Sequence, residues 1–333
     1  MGTTRKVWVS ILAVLLLAVA GCGSGTGGPG TAGGSGSAKS FTLYTCVSDT
    51  TINPVIKAFE KAHPGMQVKL YRAPTGDLNA RIAGDIRSGG LRADAIWACD
   101  PLTMQDYVGQ GLIGDWTPAT DIPEEYRTDH YVGVALLYMV AVTHEGVAPP
   151  ASWKDLTDAR YDGSVAVPDP NIAASALGAL GYFAADPSYG LDFYATLKKN
   201  GGTQLSTPTD VVNGVAQGTY KAGITIANSA YAAKQSGSPI AVTWPDPGSV
   251  AIYGPIALAK HSADNKAAKS FCSYVTSKQG QTVIADSGSY PTLAGVPGPT
   301  EPADAKIVSP DWMKLSHSKD KVLRQYQSIF GGR

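Results

Sequence analysis

Hydroxyl, amide and carboxylate side chains recur where an apolar run gives way to a helical pattern, and that combination suits the holding of an oxyanion. Thr45 and Ser48 follow Phe41-Thr42-Leu43-Tyr44, and Thr75 and Gly76 lie in the turn Ala73-Pro74-Thr75-Gly76-Asp77. Asp100 follows Ala95-Ile96-Trp97-Ala98-Cys99, and Asn171 and Ser175 follow Val165-Ala166-Val167-Pro168. Asn228, Ser229 and Tyr231 follow Gly223-Ile224-Thr225-Ile226-Ala227. At each turn a helix would present unpaired N–H groups and the positive end of its dipole, enough to hold phosphate, phosphonate or carboxylate without a dedicated Arg. The plain alternative is that these residues cap helices and form turns, their commonest work.

Other groups suggest a second recognition feature. Asp100, Asp169 and Asp246 lie at strand ends or in a returning segment, where one could face an amine, although Asp beside Pro is more often a turn device. Tyr231 and Tyr253 offer aromatic walls, Trp97 and Trp153 suit packing, and Arg72 and Arg81 could supply charge, although a solvated face is their default reading. Cys46 and Cys99 each end a strand-like run; if those strands are neighbours a disulfide is feasible, but the deciding Cα separation is not in the sequence. Cys272, in Ala-Ala-Lys-Ser-Phe-Cys, reads as a small core residue.

Enzyme chemistry finds little footing. His144-Glu145 lacks the second His of a zinc-protease signature, and there is neither a G-x-S-x-G elbow nor a Walker A motif. The five His are scattered at 63, 130, 144, 261 and 317, and no CxxC suggests zinc. The reading is therefore a non-enzyme with no cofactor and no resident metal. A spatial triad leaves no mark in a linear chain, so a secreted lipoprotein hydrolase stands as the remote alternative. The 27 basic and 27 acidic residues form no polybasic arm, which argues against nucleic acid as a partner.

The elements that must position these residues follow one plan. The run from Phe41 reads as a buried strand, and Ile52, Val55, Ile56 and Phe59 recur at helical spacing behind it. Two further strand-turn-helix units follow, with strands at Met66–Tyr71 and Ala93–Ala98 and helices at Leu78–Arg87 and Leu102–Gln110. Repetition of this unit implies a parallel sheet whose turns line one edge of a cleft. Tyr131–Thr143 is long and apolar without helical period, suiting an extended crossing into a second α/β lobe, and Val250–Lys260 mirrors it as a return. Helices are expected at Ala173–Ala185, Asp192–Lys199, Asp210–Gln217 and Asn228–Gln235, and a final pair at Pro310–Ser316 and Ser318–Ile329.

The amino end reads as a leader. Arg5 and Lys6 precede an apolar run, and Leu17-Ala18-Val19-Ala20-Gly21-Cys22 looks like a bacterial lipobox. Residues 1–21 are then a lipoprotein signal peptide. Residues 22–40 are a lipidated Cys22 and a Gly/Ser-rich tether with no large apolar side chain until the domain begins. This arrangement puts the domain at the extracellular face of the cytoplasmic membrane, held by a lipid anchor.

With the chain in view, Leu43-Tyr44-Thr45, Phe59-Glu60-Lys61, Arg92-Ala93-Asp94-Ala95-Ile96-Trp97 and Gly109-Gln110-Gly111-Leu112-Ile113 resemble the amino-terminal lobe of the extracellular solute-binding proteins of ABC importers. The resemblance is to the cluster that takes iron(III), thiamine, polyamines, phosphonates and sugar phosphates. Asp246-Pro247-Gly248, Gly254-Pro255-Ile256-Ala257 and Ser277-Lys278-Gln279-Gly280-Gln281 are similar to its return segment and following helix. The resemblance implies an α/β fold of the periplasmic-binding-protein type II, two lobes joined by two crossing segments with the ligand cleft between them. Lobe 1 would comprise residues 41–137 plus 248–288, and lobe 2 residues 138–247 plus 289–333. It further implies a monomer that delivers a small anionic ligand, a phosphonate such as 2-aminoethylphosphonate or an organophosphate, to a membrane permease. In that light the ligand-binding set is Thr45, Ser48, Thr75, Gly76, Asp100, Asn171, Ser175, Asn228, Ser229 and Tyr231. Iron is the alternative within the same family. The places where iron binders carry their donors align with Ser48, Cys99, Ser229 and Ala230, which do not suit Fe(III), and a shift of one residue brings in Asp100 and Tyr231.

Overall fold

A computed structural model of the chain describes residues 39–299 and 301–331. The expected signal peptide, Cys22 and nearly all of the tether lie outside the described residues. Among the described residues no helix is long and apolar enough to cross a membrane.

The first half alternates strand and helix: β1 (Ser40–Thr45), α1 (Asp49–Ala62), β2 (Gln67–Arg72), α2 (Thr75–Arg87), β3 (Ala95–Trp97) and α3 (Pro101–Gly109). The long strand β4 (Val132–His144) leads to β5 (Val165–Pro168), α4 (Ala174–Ala185), α5 (Asp192–Lys199), β6 (Thr203–Leu205), α6 (Pro208–Ala216), β7 (Ala222–Ile226), α7 (Ala227–Gln235) and β8 (Ile240–Thr243). Then β9 (Ser249–Leu258) returns, followed by α8 (Lys266–Thr276), α9 (Lys278–Asp286), the short β10 (Tyr290–Pro291) and β11 (Ile307–Val308), and α10 (Trp312–Phe330).

The main strand order is β2-β1-β3-β9-β4-β7-β5-β6. β1 runs parallel to both β2 and β3, and β5 runs parallel to both β6 and β7. Between these two parallel groups lie β9 and β4, antiparallel to one another over Val132–Met139 and Val250–Ile256. The two long apolar segments are thus the central pair that joins the groups, and the βαβ turns of each group open toward the same space.

Each group has its own core. On the first side Phe41, Leu43, Ile52, Val55, Phe59, Trp97 and Phe271 are buried together, with Cys272 among them. The helical stripe of α1 is what supplies Ile52, Val55 and Phe59 to it. On the second side Trp153, Phe183, Tyr194, Val250 and Tyr326 form the centre. Trp153 donates its indole N–H to the Gly248 carbonyl at 2.9 Å, so both Trp97 and Trp153 are packed residues, as their setting suggested.

The carboxyl-terminal segment differs from expectation. One continuous helix, α10, replaces the expected pair, because Ser316, His317 and Ser318 turn their polar atoms onto carbonyls one turn earlier instead of breaking the helix. It packs on α4 and α5 and also reaches α3, where Lys319 pairs with Asp106.

Candidate functional site

A cavity of about 560 Å³ lies between the two groups of turns. From the first side it is walled by residues 46–51, Arg72, Pro74, Thr75, Trp97 and Cys99. From the second side come residues 172–175, 207–210, Asn213, Asn228 and Ser229, with Ala135, Leu137 and Gly254 of the central pair as its floor. Its size suits a small metabolite.

Five helices start at this cavity, and four of them start without a side-chain cap. Ser48 before α1, Pro74 before α2, Ala173 before α4 and Ile226 before α7 make no capping hydrogen bond through a side chain. Helices elsewhere are treated differently: Asp100, Asn265, Ser277 and Asp311 cap α3, α8, α9 and α10. The fifth helix at the cavity, α6, is closed by a capping box in which Thr207 accepts from the Asp210 amide at 3.2 Å and Asp210 accepts from the Thr207 amide at 2.9 Å. Among the described residues α5 is the remaining uncapped helix, and it lies elsewhere. Uncapped amino termini leave first-turn N–H groups and the positive dipole end available to a ligand. The starts of α4 and α7 also carry no acidic residue.

The side chains add polar groups still lacking partners. The Thr75 hydroxyl, the Trp97 indole N–H and the Asn228 amide oxygen are buried without a hydrogen bond, and all three residues line the cavity. Arg72 brings a positive charge; its Nε donates to the Val47 carbonyl at 3.1 Å and its guanidinium lies 3.8 Å from Asp49. Two carboxylates, Asp49 and Asp210, also reach the cavity.

Of the ten residues expected to bind ligand, Ser48, Thr75, Ser175, Asn228 and Ser229 line the cavity. The other five do other work. Thr45 is fully buried and donates to the Trp97 carbonyl at 2.8 Å while accepting from the Val47 amide at 3.1 Å, so it shapes the turn from behind. Gly76 donates its amide to the Ile172 carbonyl at 3.1 Å, across the rim. Asn171 is exposed and joined to Asp169 and Gln327. Tyr231 accepts from the Trp244 indole at 2.9 Å on the far side of the central strands. Asp100 is buried at the start of α3, accepting from the Thr103 amide at 2.8 Å; burial pushes its carboxyl above the usual range, against the pull of that amide.

The carboxylates named as amine partners also face elsewhere. Asp169 accepts from Gln204 at 2.7 Å and Asp246 pairs with Lys306 at 2.7 Å, while Tyr253 packs on Tyr126 and Trp312. Asp49, Thr207, Asp210 and Asn213 line the cavity without having been singled out by sequence reasoning, and Arg72, a weighed source of charge with a solvated default, joins them. A signal for α6 was present: Thr207-Pro208-Thr209-Asp210 is a capping box with Pro at the first helical position, and starting the helix at Asp210 lost that turn.

Cys46 and Cys99 form a disulfide, with their Cα atoms 5.9 Å apart. Because β1 and β3 are paired in parallel, Thr45 opposite Trp97, the two Cys fall at neighbouring strand ends, and both line the cavity.

Comparison with known proteins agrees with this architecture. Residues 42–289 match the family described as bacterial extracellular solute-binding protein. A Haemophilus influenzae protein described only as uncharacterized is 25% identical over 86% of this chain and 89% of its own length. The spermidine/putrescine-binding periplasmic protein of Escherichia coli is 27% identical over 46% of this chain and 46% of its own. Among solved structures, the periplasmic binding protein AfuA of Actinobacillus pleuropneumoniae, with exogenous fructose-6-phosphate bound, superposes with a TM-score of 0.79 at 17% identity, covering 89% of this chain and 100% of that one. Iron-bound HitA of Pseudomonas aeruginosa gives 0.73 at 18% identity, covering 86% and 99%. These likenesses establish the two-lobed type II periplasmic-binding fold.

Proposed function

The chain belongs to the bacterial extracellular solute-binding proteins of ABC importers, and from that premise we propose that it is a lipid-anchored receptor for a small anionic ligand, a phosphonate or organophosphate, which it hands as a monomer to a membrane permease. The observation that carries the ligand class is the convergence of four uncapped helix starts on one cavity together with Arg72. Amides fixed by four helices suit the several oxygens of a phosphoryl or phosphonyl group, and Arg72 supplies opposite charge. In 2-aminoethylphosphonate the ammonium would meet Asp210, since Asp49 already faces Arg72. The receptor does no chemistry on its cargo; contacts made with both lobes at once favour the closed arrangement.

A neighbour of this fold with a bound sugar phosphate supports the phosphate reading. The iron-bound neighbour keeps iron as the alternative cargo, but the donors that reading needs lie elsewhere. Asp100 is buried at the start of α3, Tyr231 is engaged by Trp244, and the Cys99 sulfur is in a disulfide.

Thermal unfolding of the intact chain tests the reading, with inorganic phosphate, 2-aminoethylphosphonate, hexose phosphates, thiamine phosphates, spermidine and iron(III)-citrate each added separately. A ligand at 100 times its Kd adds about 2.7 kcal/mol. The expected result is stabilisation by a phosphorus compound that Arg72→Met abolishes; stabilisation by iron alone or spermidine alone overturns the ligand class. The anchor is checked by Cys22→Ser, which should move the chain from the membrane fraction to the medium.

A further inference from the structure

The start of α1 is the most heavily used uncapped helix terminus in the cavity, since residues 46–51 all line it. A turn without a capping side chain must be held by something else. Behind it, the Thr45 hydroxyl links the Val47 amide to the Trp97 carbonyl, and from the side Arg72 reaches the Val47 carbonyl. These contacts, and the 2.7 Å hydrogen bond between the Thr51 and Ser289 hydroxyls, are all non-covalent. The disulfide holds Cys46 covalently to Cys99, and Cys99 is itself well anchored: the next residue, Asp100, is buried and caps α3 through the Thr103 amide. The bridge therefore ties an uncapped helix start to a capped one. Both Cys are only half-buried and both stand in the cavity wall, so a reductant and a ligand would approach them through the same opening.

We propose that the Cys46–Cys99 disulfide is a positioning element of the binding site, fixing the α1 turn in its ligand-holding shape, so that reduction disables capture while leaving the fold intact. The step is an ordinary exchange: a dithiol reductant gives two electrons and two protons, the S–S bond breaks to two thiols, and the reductant becomes a disulfide. An ordinary structural cross-link acts through the unfolded chain, so its loss would instead weaken every part of the domain together. Coupling is reciprocal at equilibrium, so an occupied cavity should shift the thiol–disulfide equilibrium toward the disulfide by the factor by which reduction weakens binding. That second consequence rests on the anion reading; the positioning role does not.

Hydrogen exchange on the intact, folded chain before and after treatment with dithiothreitol tests the proposal. Exchange over residues 47–52 should rise at least tenfold on reduction, while the α2 start over residues 75–78, also uncapped but not bridged, stays unchanged. The double variant Cys46→Ser/Cys99→Ser should show the same local pattern, and the reduced wild-type chain serves if that variant does not fold. No change over residues 47–52, or an equal rise across the whole domain, overturns the proposal. In a parallel arm, 10 mM inorganic phosphate should raise the fraction of chain that keeps the disulfide at equilibrium with a fixed dithiothreitol redox buffer. Local loosening without phosphate protection supports the positioning role and counts against the anion reading alone.

Discussion

Gly76 and Ile172 meet backbone to backbone across the rim of the cavity. The amide of Gly76, in the first turn of α2, donates at 3.1 Å to the carbonyl of Ile172, which precedes α4 on the opposite side. A Cβ at Gly76 would stand 2.9 Å from the Asn171 oxygen and 3.3 Å from the Ile172 Cα. Main-chain atoms cannot swing aside as a flexible side chain can, so Gly76→Ala should hold the lobes apart at this point. Within α2 the change is favourable by about 0.5–1 kcal/mol, because Ala loses less backbone entropy than Gly in a helix. The expected outcome is a free chain as stable as wild type or more so, with ligand affinity about tenfold lower, an overpacking cost of about 1–3 kcal/mol. Calorimetric titration with the compound that stabilises the wild type checks it; unchanged affinity would show that the contact is incidental to closure.

Thr75 carries a buried hydroxyl without a partner at the start of α2. A buried unpaired hydroxyl costs about 1–3 kcal/mol. Thr75→Val keeps the shape and removes that group, so the free chain should melt no lower than wild type. Ligand affinity should nevertheless fall severalfold, since the hydroxyl is placed for the ligand. Loss of stability with unchanged affinity would assign the hydroxyl to the fold instead.

The sequence showed the scaffold more clearly than the site. Strands such as β4 and β9, and the helical stripe of α1, are written in apolar periodicity, because burial demands it continuously along each element. The cavity is written only in turn residues, and there one residue type serves two ends. Ser48 and Thr207 are both hydroxyls before a helix, yet only Thr207 caps its helix and Ser48 faces the cavity uncapped. Asp100 and Asp210 are both acids that cap a helix start, yet Asp100 is buried away from the cavity while Asp210 lines it. Arg72 carries the same two readings: it ends the edge strand β2, where a solvated Arg is ordinary, and only the fold of the neighbouring turn brings Val47 to its Nε.

Asp100 should give stability an unusual pH dependence. Its folded carboxyl is held above the ordinary value near 3.9 by burial, so the native state takes up its proton more readily than the unfolded chain does. For a raised carboxyl the contribution is greatest below the unfolded value and is lost as pH rises through the folded one. Asp100→Asn keeps an acceptor oxygen for the Thr103 amide and carries no charge. The variant should therefore be more stable than wild type at pH 7, by about 1 kcal/mol on the scale of an uncompensated buried polar group. The advantage should shrink as pH falls toward 4. Melting temperatures of the pair across that range decide it, and a gap that widens in acid would mean that Asp100 is stabilised as the anion, with Lys319, whose charge pulls its carboxyl down, the cation to test.

Tyr326 fastens α10 to the second lobe. Its ring is fully buried, 5.1 Å from Tyr194 and stacked at 5.1 Å on Phe330, and its hydroxyl has no partner. Tyr326→Ala removes the ring and leaves a cavity, so it should cost about 3–5 kcal/mol. Tyr326→Phe removes only the unpaired hydroxyl and should be neutral or slightly stabilising. Urea denaturation of both variants separates packing from hydrogen bonding. A large loss for Tyr326→Phe would mean the hydroxyl is satisfied in solution by a bound water, and a small loss for Tyr326→Ala would mean that α10 adds little to the lobe it covers.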